Sequence, residues 1–403
     1  MAFDEPSAQL HLELRKAVQA ALASRRPILH HLNADTSWFL QIPRPDSAVK
    51  HGSRFYYNIL IDPWLTGGQS DLASWFSQQF HATQSAIQSI AELEELAREI
   101  EILASGLRLG YGRKSNVQAD EEDDRTESYI DAVVISHEFT DHCHKETLLE
   151  VHPDVTIFAV KEAAKLIQSW KHFRSVVTIP VFGANGDQDW RSTSLPPLPD
   201  WIGIARLLQH DDVLNFHSAL MITFNNQHRD TKSELTTAKT NGTINSKRKR
   251  HHTAIELNED EESAEAIIYT PHGINSSDLS LIPSASPSIR PLAFLHGLHN
   301  VKVGQTPFGT ALQNNLGAHN GLKAQRLLNA KYWIGTHDEV KTSGGLVSYF
   351  LSRKVISIGE ALEEERKTRK NGAVDRELDK TLDASEDANW VELGNGESKI
   401  LEL

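Results

Sequence analysis

The sequence predicts an α/β fold made of short strands and helices. The β-branched run Ala132–Ile135 and the apolar run Val155–Val160 are each followed by a helix-prone segment, which gives a strand-helix-strand-helix order. Similar short apolar runs recur along the chain as far as Tyr332–Gly335. Hydrophobic residues make up 39% of the 403 residues and charged residues 24%, as in globular proteins that bury a sizeable core.

The first third of the chain is expected to form a helix, two strands and a second helix. Apolar residues recur at roughly helical spacing over Leu10–Ser24. Runs rich in β-branched and aromatic residues predict strands over Pro27–Ile42 and Phe55–Leu65, joined by a hairpin loop at Pro43–Gly52. A helix is expected over Thr83–Ser105.

The remaining elements follow from the same patterns. Helices are expected around Thr147 and over Lys161–His172. Further strands are predicted at Val176–Val181, Gly203–Leu208, Ala219–Phe224, Ala266–Thr270 and Tyr332–Gly335. The last apolar residues, Trp390–Leu401, are expected to pair as a hairpin around a Gly-Asn-Gly turn.

Composition divides the chain into three parts: an N-terminal helix over 1–25, a main domain over 26–355 and a charged extension over 356–403. The main domain contains a polar insertion over about 230–265. The insertion holds the basic run Lys247–Arg250, which fits a nuclear localisation signal, and the acidic run Glu259–Glu262. Because the two runs compensate each other, we favour a disordered loop without chemistry.

The charge and the termini restrict the class of protein. A net charge of −13 argues against a general nucleic-acid surface, because phosphate binding needs clustered Lys and Arg. No apolar run reaches the length of a membrane span, and the N-terminus lacks the pattern of a secretory signal. The single cysteine, Cys143, excludes an intramolecular disulfide. Cytoplasm is the expected location.

The candidate chemistry lies in the segment Ser136–His144, which follows a predicted buried strand. Three histidines and an aspartate occur within eight residues: His137, Asp141, His142 and His144. Loops at the carboxyl ends of strands are where α/β proteins place ligands. Imidazole and carboxylate are the ligands that Zn²⁺ takes when one position stays open for water. The segment therefore predicts a catalytic metal site.

This segment resembles the H-x-H-x-D-H motif of the metallo-β-lactamase superfamily, with His137, Asp141 and His142 in place. Phe139 stands at the second histidine position, where a phenyl ring cannot coordinate a metal. The resemblance implies an αββα sandwich, in which two mixed β-sheets are flanked by helices. It also implies that Asp141 orients the attacking water.

The resemblance extends to four more positions. Asp62, in the turn after the second strand, would orient a ligating imidazole. The third histidine of the first metal site is His210 or His217, and spacing slightly favours His210. His272 stands where the family has a bridging aspartate, and His337 matches the histidine that completes the second metal site.

These departures predict an altered centre that holds one Zn²⁺ tightly, although two ions or another divalent transition metal also fit the residue types. The expected reaction is hydrolysis of an ester, lactone or phosphodiester bond in a small-molecule substrate by a metal-activated water. The alternative is an inactive binding protein that keeps the fold. The sequence leaves the substrate and the oligomeric state open.

Overall fold

The computed structural model describes residues 16, 18–46, 48–49, 54–70, 75, 77–110, 128–212, 216–226, 262–304, 312–344, 350–370 and 388–403. Most of the predicted polar insertion, residues 230–261, lies outside these ranges, as do residues 1–15 of the predicted N-terminal helix. Among the described helices, none combines the length and apolar character needed to cross a bilayer.

The described strands are short and are distributed along the whole chain. In order they are β1 (Ile28–His31), β2 (Trp38–Pro43), β3 (Tyr56–Ile61), β4 (Gly68–Gln69), β5 (Gln78–Phe80), β6 (Ala132–Ile135), β7 (Thr156–Ala159), β8 (Val176–Thr178), β9 (Ile202–Leu208), β10 (Ser218–Phe224), β11 (Ala264–Thr270), β12 (Ile289–His296), β13 (Asn300–Val303), β14 (Leu312–Leu316), β15 (Tyr332–Ile334), β16 (Thr342–Gly344), β17 (Leu351–Lys354), β18 (Trp390–Val391) and β19 (Ser398–Ile400).

The first described α-helix precedes β1, and the others lie between the strands. They are α1 (18–24), α2 (Ile90–Gly110), α3 (Lys145–Glu150), α4 (Lys161–Ser169), α5 (Ala318–Leu328) and α6 (Ile358–Lys370).

Two large mixed sheets form the centre of the fold. The first has seven strands in the order β19-β1-β2-β3-β6-β7-β8, and the second has six in the order β18-β15-β12-β11-β10-β9. Two three-stranded sheets, β14-β13-β17 and β16-β5-β4, complete the described pairing. Both large sheets combine parallel and antiparallel neighbours, for example β3 with β6 and β2 with β3.

Side chains of β10 alternate between two layers, as the period of a strand requires. Leu220 and Ile222 belong to the core shared with the first sheet, whereas Ala219 and Met221 pack in a second core with Leu322 of α5. Helices α2 and α4 contribute apolar residues to the first core. The predicted αββα arrangement is therefore confirmed.

Three local predictions were wrong. The segment Pro27–Ile42 is two strands, β1 and β2, because Asn33 and the residues after it form a turn. Several strands were not predicted: β4, β5, β13, β14, β16 and β17 are short, and Pro291 interrupts the apolar pattern of β12. The terminal hairpin does not form: β18 pairs with β15 in the second sheet, whereas β19 pairs with β1 in the first.

Candidate metal centre

The strand directions bring the predicted site residues to one edge of the sandwich. Strands β3 and β6 run parallel, and so do β11, β12 and β15. Asp62 directly follows β3, His137 lies just beyond β6, and His272 and His337 lie just beyond β11 and β15. Because the carboxyl ends of parallel strands meet at one edge, residues far apart in sequence become neighbours.

Two further residues reach this edge through antiparallel pairing. Trp38, the first residue of β2, pairs with Ile61, the last residue of β3, so the turn that holds Asp35 lies beside Asp62. In the second sheet β10 is antiparallel to β11, so the start of β10 lies beside the end of β11. His217, the residue before β10, therefore lies at the same edge as His272.

Three buried histidines converge at this edge: His142, His272 and His337, here called the histidine trio. One ring nitrogen from each lies within 4.8 Å of the others. The Nε2 atoms of His142 and His272 are 3.1 Å apart. Gly273, at φ +90°, lets the chain turn directly after His272.

The ring orientation of the trio suits metal coordination. Nδ1 of His142 donates to Asp62 Oδ2 at 2.8 Å, and Nδ1 of His337 lies 3.1 Å from Asp35 Oδ1. Nδ1 of His272 faces Asn315 Oδ1 at 3.4 Å. Because a carboxylate accepts and cannot donate, Nδ1 of His142 and of His337 carries the proton, and Nε2 presents its lone pair to the centre.

Asp62 is held by a dense set of donors. Its Oδ1 accepts from the Ser136 backbone N–H at 2.7 Å, and its Oδ2 accepts from the Tyr269 hydroxyl at 2.8 Å and from the Ser136 hydroxyl. Asp62 and His337 both have left-handed backbone, with φ of 42° and 58°. Such conformations cost about 1–3 kcal/mol in residues other than glycine and cluster at functional sites.

Asp141 lies beside a buried lysine that the sequence analysis did not select. Lys341 Nζ donates to Asp141 Oδ2 at 2.9 Å and to Asp35 Oδ2 at 2.7 Å. Burial alone raises the pKa of Asp141, but Lys341 and the neighbouring imidazoles outweigh it and hold this pKa well below its usual range. Burial lowers the pKa of Lys341, but the two carboxylates outweigh burial and raise it.

The histidines of the trio differ in their electrostatic surroundings. Burial lowers the pKa of His272 well below its usual value and also lowers that of His337, so both rings are neutral, as metal ligands must be. Burial lowers the pKa of His142 too, but the carboxylates of Asp141 and Asp62 outweigh it and raise the pKa.

The charges of this cluster leave room for one divalent cation. Asp35, Asp62 and Asp141 supply three buried carboxylates, and Lys341 supplies one ammonium. Two negative charges remain, and a single divalent cation would neutralise them.

The predicted first metal position contains aromatic rings. The Phe139 ring stacks on His137 with centroids 4.6 Å apart and planes 8° from parallel, and Phe216 lies 5.3 Å from Phe139. Nε2 of His217 is buried without a hydrogen-bond partner among the described residues, and Nδ1 of His137 lies 3.4 Å from Glu138 Oε2. The structure thus keeps two histidines here and covers one of them with a phenyl ring.

The positions of the two histidines reverse the slight preference for His210 over His217 as the middle histidine. The side chain of His210 is 87% exposed and pairs with Asp278 at 2.7 Å. His217 is buried, and Phe216, the residue before it, accepts a hydrogen bond from His137 through its carbonyl. Both histidines lie between β9 and β10, but only His217, which directly precedes β10, is buried. His217 replaces His210 as the candidate middle histidine, and the ligand role stays a prediction.

Asp35 and Lys341 are the two residues of the cluster that the sequence analysis missed. Asp35 was assigned to a continuous strand, although the run Asn33–Ser37 carries the polar residues typical of a turn. Lys341 follows His337 by four residues, and a lysine after a strand is usually solvated, so no sequence pattern marks it.

No family model and no curated protein matches the chain. Solved structures are similar to it, and three of them follow. A possible metal-dependent hydrolase from Veillonella parvula is 11% identical, with coverage of 93% of this chain and 100% of that one and a TM-score of 0.47. An isothiocyanate hydrolase from Delia radicum gut bacteria is 12% identical, with coverage of 94% and 100% and a TM-score of 0.46. A metallo-β-lactamase-fold protein from Bacillus subtilis is 13% identical, with coverage of 77% and 86% and a TM-score of 0.32. Similarity at this level concerns overall fold and says nothing about activity or substrate.

Proposed function

We propose that this protein is a metal-dependent hydrolase that holds one zinc ion at the histidine trio. The observation that carries the proposal is the convergence of one ring nitrogen from each of three buried imidazoles, with the Nε2 atoms of His142 and His272 3.1 Å apart. Two lone pairs at that distance repel each other unless a cation or a proton lies between them. Imidazole with nearby carboxylate is a donor set that zinc prefers.

The residues around the trio have distinct roles in this proposal. Asp62 orients His142, and Asp35 orients His337, through hydrogen bonds to Nδ1. Asp141 faces the trio, with Oδ1 3.7 Å from His142 Nε2 and Oδ2 3.8 Å from His337 Nε2. In the reaction Asp141 orients the attacking water. A bound zinc ion supplies Lewis acidity that activates water for hydrolysis.

The proposed substrate is a small molecule with an ester, lactone or phosphodiester bond. Each of these bonds has an electrophilic carbon or phosphorus that water attacks, and each develops negative charge on oxygen during attack. The cytoplasmic location expected from the sequence is part of the same proposal.

The test combines metal analysis with hydrolysis assays. We expect about one zinc per chain, loss of hydrolysis of 4-nitrophenyl esters, lactones or bis(4-nitrophenyl) phosphate after chelation, and recovery with added zinc. His142→Ala should lose both metal and activity, because a trio has no ligand to spare. The matched control is His319→Ala, a half-exposed histidine that pairs with Glu364. Purified protein that takes up no zinc would overturn the proposal.

Two observations favour the second candidate, an inactive binding protein. Asp141 Oδ2 already accepts a hydrogen bond from Lys341, and the phenyl ring of Phe139 covers His137. The first contact occupies a carboxylate oxygen that would otherwise bind water, and the second covers an imidazole that would otherwise face the substrate. A protein that binds one zinc per chain but hydrolyses none of the three substrate classes would support this candidate.

A further inference from the structure

A second group of metal-ligating side chains adjoins the histidine trio. Asp35, Asp141 and His337 are all buried, and one ligand atom from each lies within 4.8 Å of the others. This set, here called the carboxylate group, shares His337 with the trio. Two carboxylates and an imidazole suit a divalent metal as well as the trio does. Because the one free nitrogen of His337 can serve only one metal, a metal at the trio leaves the carboxylates of Asp35 and Asp141 as the second, adjacent cation position.

The carboxylate group already has a cation from the chain itself. Lys341 Nζ lies 2.7 Å from Asp35 Oδ2 and 2.9 Å from Asp141 Oδ2, and the lysine side chain is only 5% exposed. The same ammonium lies 5.2 Å from the centroid of the Trp64 ring, within the range of a cation–π contact. Two carboxylates and an aromatic face therefore surround one positive charge.

The position of this ammonium has a direct consequence for metal binding. A lysine ammonium is a compact point charge that donates hydrogen bonds and cannot coordinate a metal. The oxygens to which it donates are Oδ2 of Asp35 and Oδ2 of Asp141, so a metal at this position would have to compete for them. A divalent cation there would also be repelled by the ammonium.

We propose that Lys341 is the built-in second cation of this centre: its ammonium takes the place of a metal between Asp35 and Asp141 and keeps that position closed to metal, beside the ion held by the histidine trio. This inference rests on the proposed metal centre. It makes Lys341 a positioning residue that acts through Asp35 and Asp141.

The test measures metal stoichiometry by elemental analysis after equilibration with excess zinc and, separately, excess manganese, followed by desalting. Wild-type protein should hold one ion per chain. Lys341→Ala should hold two, because the carboxylate group then lacks a cation. Lys341→Arg keeps the charge and should stay at one. Lys341→Ala combined with Asp35→Asn should hold fewer than two, since the group has lost a carboxylate as well as the lysine and His337 has lost its carboxylate partner.

The outcomes separate this inference from the proposed metal centre. Wild-type protein without metal would overturn the centre itself. Wild-type protein with two ions, or folded Lys341→Ala with one ion or none, would overturn only the role of Lys341. If Lys341→Ala does not fold in buffer, it is refolded in excess zinc. Recovery with two ions per chain supports the inference, and failure to recover contradicts it.

Discussion

The imidazoles of His142 and His272 face each other through their Nε2 atoms at 3.1 Å, although 130 residues separate them in sequence. His142 reaches this position from the loop after β6 in the first sheet, and His272 from the end of β11 in the second. The contact therefore joins the two sheets at the candidate metal centre, and its geometry depends on the groups that hold each ring.

Asp62→Asn should weaken zinc binding by about 10- to 100-fold, because the carboxylate that fixes the His142 ring and increases its basicity becomes a neutral amide. Competition with a chromophoric zinc chelator measures the affinity. Tyr269→Phe is the matched control, since it removes only one donor to Asp62 and leaves the carboxylate in place. The loss of zinc affinity in Tyr269→Phe should be smaller than that in Asp62→Asn. Equal affinities for wild type and Asp62→Asn would show that Asp62 does not orient a ligand.

Phe139→His should raise the metal content towards two ions per chain, because it adds an imidazole where a phenyl ring now stacks on His137. The second ion would need His217, so adding His217→Ala should return the content to one. Adding His210→Ala should leave it at two, since His210 is exposed beside Asp278. Phe139→Leu is the control, because it removes the phenyl ring without adding an imidazole, and its metal content should stay at one. The opposite pattern for the two histidines would restore His210 as the middle ligand.

Replacing residues 232–260 by a four-residue Gly/Ser linker should change the melting temperature by no more than about 1 °C, which for a chain of this size corresponds to roughly 1 kcal/mol. Strands β10 and β11 pair with Phe224 opposite Glu265, so a short connection can join them. Thermal unfolding measures the effect. A deletion extended through Glu265 should destabilise strongly, because it removes the start of β11 and the contacts of Glu262 with Trp190 and Arg191.

The protein should lose stability as the pH falls from about 6.5 to 4. Burial lowers the pKa of His30 and of His296 to about 4, so in this window the unfolded chain binds protons that the folded chain does not. The free energy of unfolding therefore decreases by up to about 1.4 kcal/mol per pH unit for each histidine. Above pH 6.5 the two histidines are neutral in the folded and in the unfolded chain, and their protonation no longer lowers the free energy of unfolding.

Chemical denaturation at pH 7, 6 and 5 in the presence of a chelator measures this slope without a contribution from metal release. His30→Gln is the informative variant, because it removes one titrating group that contacts Gln41 and Ser398, away from the metal centre. Its slope should be shallower than that of wild type. An unchanged slope would mean that His30 does not take part in the acid response.

Patterns local in sequence predicted the strand ends that carry His137, Asp141, His142, His272 and His337. They did so because a buried strand leaves a strong apolar signal and the polar residues at its end interrupt it. Asp35 was missed for a related reason: β1 and β2 are both fully buried, so the short turn between them was absorbed into one long apolar segment.

Other features depend on contacts that sequence patterns do not contain. The Gly-Asn-Gly run at 394–396 has hairpin chemistry, but its two strands find partners in different sheets, which a local pattern cannot reveal. Lys341 is buried only because Asp35, about 300 residues earlier, lies opposite it. Long-range electrostatic pairing of this kind appears only in three dimensions.

The pairing of β19 with β1 affects how the chain is made. Ile28 pairs with Ile400, so the outer edge of the first sheet lacks its partner until residues 398–400 have been synthesised. At about 5–20 residues per second, roughly 20 to 70 seconds separate the two strands on the ribosome. During that time β1 is an unpaired edge of the kind that recruits other chains. The nascent protein should therefore depend on chaperones more than the finished one does.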